Sequence, residues 1–239
     1  MTTDGESRHA WLLVLGRAPY DEVHSLQLEL VELRRRDLID DVLILVEHEP
    51  VITCGRRAER SNILASDERL RELGVALRQV ERGGDVTYHG PGQVVGYPIV
   101  RLRDHLAGAS DYMHRLEDTV AAVVESYGLS TCRRKDAIGV WVGHNKICAL
   151  GVRVRRGITF HGLALNVDPD ATHWGLIIPC GIRDGGVTSL AAELSDPPTL
   201  REVRNRLATQ FAEGFGWDLE PAVPEDLLQL GQNAAEQEA

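Results

Sequence analysis

Ile138-Gly-Val-Trp-Val-Gly-His-Asn-Lys-Ile-Cys-Ala-Leu-Gly-Val-Arg-Val-Arg-Arg-Gly-Ile-Thr-Phe-His-Gly-Leu-Ala-Leu-Asn-Val167 is the stretch that sets the fold class. Its β-branched and aromatic residues predict strands over residues 138–142, 146–154 and 158–167. Gly143-His144-Asn145 reads as a hairpin turn, and Arg155-Arg156-Gly157 as the next. Strands joined by such short turns are antiparallel neighbours. A block of this kind does not fit a doubly wound sheet, whose strands are separated by helices.

Outward from this block, strands and helices come in mixed order. Apolar runs at residues 10–15, 42–46, 51–54, 75–80 and 94–100 read as strands. Residues 20–36 read as an amphipathic helix with Val23, Leu26, Leu30 and Leu33 on one stripe, and Arg34, Arg35 and Arg36 suit its C-terminal dipole. Ser66 is the expected N-cap of a short helix. Residues 111–127 carry a stripe of Tyr112, Leu116, Val120, Val123 and Tyr127, closed by Gly128. Downstream, the apolar run Leu176, Ile177 and Ile178 reads as a strand that Cys180 ends, residues 187–194 open a short helix, and residues 199–215 form a longer one. The expected fold class is α+β (mixed α/β), a central mixed β-sheet flanked by helices. One domain is expected over residues 10–217, with 1–9 and 218–239 as flexible or loosely attached termini.

Composition narrows the function classes. A formal net charge of -10 over 239 residues argues against nonspecific nucleic-acid binding, which needs a basic surface. No apolar run is long enough to span a membrane, and the first residues lack a signal-peptide core, so a cytoplasmic protein is expected. Cys54, Cys132, Cys148 and Cys180 are widely spaced, with no C-x-x-C pair, so neither a zinc site nor a disulfide framework is expected. Of the 26 basic residues only Lys135 and Lys146 are lysines. Lysine can give up its proton when partly buried; arginine in practice cannot. Lys146 precedes an apolar run and is the candidate for proton chemistry. Lys135, among Arg133, Arg134 and Asp136, reads as solvated surface.

Four further features point to a site. Arg82-Gly-Gly-Asp-Val-Thr-Tyr-His-Gly-Pro-Gly-Gln93 holds too much Gly and Pro for a helix. It lacks the Lys-Ser/Thr of a phosphate loop, and reads as a binding surface made of backbone. Cys180 lies between Pro179 and Gly181, a setting that presents a side chain while letting a substrate approach; a buried structural thiol is the alternative. A neighbouring ammonium such as Lys146 would stabilise its thiolate. His89 and His161 could each complete a Cys–His pair; His89 reads as lining a site and His161 as a satisfied core histidine. No second ligand stands at metal spacing from His89. Ala149-Leu150-Gly151 and Gly162-Leu163-Ala164 put small residues on adjacent strands, leaving room for a ligand or for tight packing.

Four motifs together resemble the octanoyltransferase (lipoyl(octanoyl) transferase) family: residues 82–93, 146–151, 155–166 and Pro179-Cys180-Gly181. The resemblance implies a fold similar to the catalytic domain of biotin and lipoate protein ligases. It implies transfer of octanoyl from octanoyl-acyl carrier protein, through a Cys180 thioester, to a lysine of lipoyl domains. Those acceptors are the 2-oxoacid dehydrogenase E2 subunits and the glycine cleavage H protein. Cys180 and Lys146 would be catalytic. Arg82, Gly83, Gly84, Asp85, Val86, Thr87, Tyr88, His89, Ala149, Leu150, Gly151, Gly162, Leu163 and Ala164 would bind substrate. Asp85 stands where glutamine is also common in the family. No cofactor or metal, no nucleic acid and no membrane is expected. A basic patch, Arg133-Arg134-Lys135 or Arg153, Arg155 and Arg156, would dock the acidic carrier. The alternatives are an ATP-dependent lipoate/biotin-type ligase and a Cys–His thioester hydrolase.

Overall fold

A computed structural model describes residues 7–105, 108–134, 137–179 and 185–237. The chain opens with β1 (Arg8–Ala18), α1 (Tyr20–Arg35), β2 (Asp41–His48) and β3 (Val51–Cys54). Then come α2 (Asp67–Glu72), β4 (Ala76–Gln79), β5 (Val86–His89), β6 (Gln93–Ile99) and α3 (Ala109–Glu125). The β-rich block supplies β7 (Val140–Val142), β8 (Asn145–Arg155) and β9 (Ile158–Asn166). The chain ends with β10 (Gly186–Val187), α4 (Leu190–Glu193), α5 (Leu200–Phe215), β11 (Trp217–Ala222) and α6 (Pro224–Gln237).

The main sheet runs β10-β8-β9-β6-β2-β1-β11, with β7 paired to β8. Its middle strands β8, β9, β6 and β2 pair antiparallel, while β2, β1 and β11 pair parallel. It is therefore the mixed sheet the hairpins predict. A smaller sheet, β4-β3-β5, stands beside it.

Period-2 alternation sorts the side chains onto two faces. On β2, Leu43 and Leu45 join Tyr112, Leu116 and Val120 of α3 and Val203, Leu207 and Phe211 of α5 in one core. Val42, Ile44 and Val46 of the same strand point the other way, into a core with Val23, Leu30 and Val31 of α1. β9 is buried along its whole length because helices cover both faces. A third core, with Ile52, Val86 and Tyr88, lies under the small sheet. The helices start as their sequences suggest. Ser66 accepts from the Arg69 amide at α2, and Thr199 with Glu202 forms a reciprocal capping box at α5.

Three expectations change. First, β1 does not stop at Leu15: Gly16, at φ 62°, carries a register shift and the strand resumes to Ala18. Second, residues 218–222, read as a loose terminus, pair with β1 as the edge strand β11, and Leu227 of α6 is fully buried. Adding a strand to an exposed sheet edge satisfies main-chain groups whatever the side chains are, so polar composition hid it. Third, the run before Pro179 is no strand of the sheet. Residues Ala171–Leu176 form a 3₁₀ turn, and Ile177 makes an isolated bridge to Ile63.

Candidate active site

The β7–β8 hairpin presents Lys146. It is 5% exposed, its ammonium donates to the Ile138 carbonyl at 3.0 Å, and it lies over the Trp141 ring at 4.9 Å. Gly139 makes this packing possible. It sits at φ 143°, and a Cβ there would lie 2.7 Å from the Cys148 carbonyl and 3.1 Å from Lys146 Cε. β10 pairs in parallel with β8 and sets Val187 opposite Lys146. Trp141, Lys146, Trp174, Pro179 and Gly185–Val187 consequently line one cavity of about 300 Å³. Cys180, with Gly181, lies outside the described residues; the residues that flank it on both sides, Pro179 and Gly185, stand at this cavity with Lys146. Lys135 is likewise outside the described residues.

The remaining cysteines are poorly suited to nucleophilic work. Burial pushes the thiols of Cys54 and Cys148 up, which withholds the thiolate. Cys132 is exposed on a bridge to Trp141.

A second cavity, a slot of about 40 Å³, lies where the small sheet meets the α1 face of the main sheet. Ala149, Leu150 and Gly151 of β8 and Gly162, Leu163 and Ala164 of β9 line it, as the small-residue reading anticipates. The two triplets are cross-strand neighbours, Ala149 opposite Ala164 and Gly151 opposite Gly162. Of the glycine-loop residues only Arg82, Gly84, Thr87 and His89 reach the slot. The others hold the loop. Gly83 donates to the Val152 carbonyl, Asp85 accepts from Asn62 and from the Glu59 amide, and Val86 and Tyr88 turn into the core under the small sheet. Strand alternation along β5 makes this division.

Arg82 is a bracket rather than a loose cation. Its guanidinium donates to the Thr53 carbonyl at 2.7 Å, to Thr53 Oγ1 at 2.9 Å and to the Gly83 carbonyl at 3.0 Å. His89 is buried and its Nδ1 has no hydrogen-bond partner among the described residues. Desolvation, with the nearby His48 and Arg82, holds it well below the usual histidine range. His48, which carried no sequence signal, donates from Nδ1 to the Ala18 carbonyl at 3.1 Å and accepts from Tyr97 at 2.8 Å. Burial lowers it to about 4.

His161 is not the satisfied core histidine expected. It takes φ 56° within β9, it lines the slot, and its buried Nε2 has no hydrogen-bond partner among the described residues. The next residue sits where backbones come close: a Cβ on Gly162 would lie 2.1 Å from the Gly96 carbonyl. Tyr20 and Tyr97 complete the slot and carried no sequence signal, since each sits in an apolar helical or strand pattern.

Residues 19–212 match the model of the lipoyl protein ligase A/B catalytic domain. A protein named octanoyltransferase from Alkaliphilus metalliredigens is 43% identical over 212 residues, 88% of this chain and 97% of that protein. Another of that name, from Chloroflexus aurantiacus, is 48% identical, over 87% of this chain and 94% of its own length. The chain belongs to the octanoyltransferase family. Its members are acyltransferases, and this chain is one. Among solved structures, a lipoate-protein ligase A bound with ATP superposes with a TM-score of 0.74 at 17% identity, covering 96% of this chain and 95% of that one. The biotin protein ligase of Aquifex aeolicus, with biotin and ATP, superposes at 0.51 and 12% identity, over 87% and 70% of the two chains. These likenesses establish the ligase-type fold for this octanoyltransferase and nothing about its chemistry.

Proposed function

We propose that this enzyme moves an octanoyl group from octanoyl-acyl carrier protein to a lysine of lipoyl domains, through a thioester on Cys180. The observation that carries the reading is the cavity shared by Lys146, Pro179 and Gly185. It flanks the Cys180 segment with the one lysine present among the described residues, held in packed surroundings. The name borne by relatives of 41–48% identity supports the octanoyl group.

The protons balance in this scheme. Cys180 and Lys146 rest as thiolate and ammonium. The thiolate attacks the thioester carbonyl, and the departing phosphopantetheine thiolate takes a proton from Lys146. The acceptor amine then attacks the acyl-enzyme and gives its proton to neutral Lys146 as the Cys180 thiolate leaves. Thioester exchange is nearly isoenergetic and thioester to amide runs downhill, so no nucleotide enters. Backbone N–H groups around Gly181 are the proposed oxyanion donors.

The slot lined by Leu150, Leu163 and Ala164 is the proposed seat of the acyl chain, each buried CH₂ contributing about 0.8 kcal/mol. A volume of about 40 Å³ must widen to take it. For the carrier, Arg133 already pairs with Glu117 and Asp118, while Arg134 stacks over Trp141 beside the Lys146 cavity. Arg153, Arg155 and Arg156, on the β8–β9 hairpin, are the better docking candidates, with Arg155 and Arg156 exposed.

Intact-mass analysis tests the reading. Enzyme mixed with octanoyl-carrier protein should gain one octanoyl group, lose it on addition of lipoyl domain, and gain none as Cys180→Ala. An adduct that survives Cys180→Ala, or amide formed only from free octanoate and ATP, would overturn it. Release of free octanoate without amide would instead mark a hydrolase.

A further inference from the structure

Tyr20, His24 and Gln27 lie on successive turns of α1, at i, i+4 and i+7, and so share one face. That face meets β9 at His161. Gln27 accepts the His161 amide at 2.8 Å, and the rings of His24 and His161 stack with centroids 5.4 Å apart. Glu81, just before the glycine loop, closes the group. Its Oε2 lies 3.3 Å from His24 Nε2 and 3.8 Å from His161 Nε2. Both imidazole nitrogens are buried and neither makes a well-aligned hydrogen bond among the described residues; the Glu81 carboxylate is the ion-pair partner of both. Two imidazole nitrogens and the carboxylate they share therefore converge from a helix, a loop and a strand.

We infer that His24, Glu81 and His161 form a binding site for a divalent transition-metal ion such as Zn²⁺. The three donor atoms all lie within 4.8 Å of one another. Tetrahedral bonds of about 2.0–2.1 Å require ligand separations of about 3.3 Å. The His24–Glu81 spacing already has that value; His161 Nε2, 3.8 Å from Glu81, must turn toward the ion for the site to close. Two histidines and one glutamate leave a fourth position for water, and the 39% exposure of the Glu81 side chain provides the entry path. Imidazole and carboxylate together favour zinc, cobalt or nickel over magnesium or calcium, which prefer oxygen alone. The Tyr20 hydroxyl lies 3.5 Å from His161 Nδ1, where it can fix the ring tautomer from behind. The ion would tie α1 to β9 along the wall of the slot. His24 and Glu81 lie outside the slot and the Lys146 cavity, while His161 lines the slot, so the test alters only the first two.

Cobalt(II) is the probe. Chelator-treated full-length enzyme, titrated with Co²⁺, should develop visible d–d bands that saturate at one equivalent and carry no thiolate charge-transfer band. His24→Ala, and the shape-conserving His24→Gln, should weaken binding by about 100-fold or more, beyond the 10–100-fold typical of an outer-shell loss. Both should keep transferase activity in metal-free buffer. Glu81→Gln should also weaken binding. Silence up to millimolar Co²⁺, a thiolate band, or titration of both His24 variants like the unaltered enzyme would each overturn the assignment.

Discussion

The two cavities that β8 borders differ in kind. The β7–β8 wall offers one ammonium, held by a carbonyl and an aromatic face and set on the main sheet. The wall made by the small sheet and the glycine loop offers Arg82, Thr87 and His89, with His48 behind them, and its cationic and imidazole groups are either bracketed or held neutral by burial. A proton carrier must exchange its proton; a pocket wall must not. In the proposed reaction the first would serve the chemistry and the second the shape, and the buried histidines are a cost the second bears in acid.

The sharpest way to break this contrast is at Lys146. Lys146→Ala should slow formation of the Cys180 adduct by about 10²–10⁴-fold, the usual worth of a positioned proton carrier. Lys146→Arg keeps the charge but cannot give up the proton, so it should be nearly as slow. Rapid quench followed by intact-mass analysis reads the rate. A full rate in Lys146→Arg would leave only an electrostatic role for this wall.

The acid response of the other wall comes next. The folded-state value of His48 lies at about 4 against 6.5 for the free side chain, so the unfolded chain binds the extra proton. Its contribution is present above pH 6.5 and is lost as pH falls toward 4, about 3 kcal/mol in all. His89 and His161, also lowered, act in the same direction. Urea midpoints measured from about pH 7 down to about pH 4 should fall steeply, and His48→Gln should flatten the curve.

Gly139→Ala should destabilise by about 1–3 kcal/mol, because a Cβ at φ 143° is strained and meets the Cys148 carbonyl. The melting temperature should drop by about 2–4 °C for each kcal/mol, with a fall in kcat as Lys146 is displaced. Gly162→Ala should lower stability to a similar extent through the Gly96 carbonyl and disturb the slot instead, raising KM for acyl donors. The smallest effect is at the rim. Reversing Arg153, Arg155 and Arg156 to glutamate should raise KM for carrier protein by up to about fivefold at low salt, and less as salt screens it.

Much of the fold and part of the site are legible in the amino-acid sequence. The turns at residues 143–145 and 155–157 imply antiparallel β8 and β9, and hence a mixed sheet. The small triplets 149–151 and 162–164 imply a cavity between those strands, and the scarcity of lysine draws attention to Lys146. What stays hidden comes from contacts between distant segments. The glycine loop reads as a uniform binding surface, yet β5 alternation sends Thr87 and His89 to the slot and Val86 and Tyr88 away from it. His161 reads as ordinary core because nothing nearby in sequence reveals its positive φ or its place in the slot.

The amino-acid sequence alone determined the local elements, because periodicity, caps and turn residues act within a few positions. It also determined which residue types could carry the chemistry. The tertiary structure decided which face of each strand meets the slot, that residues 217–222 complete the sheet, and that α1, Glu81 and β9 bring two imidazoles and a carboxylate together. Those outcomes depend on pairing between segments far apart in the chain, from His24 to Glu81 and on to His161, and no local pattern encodes such a meeting.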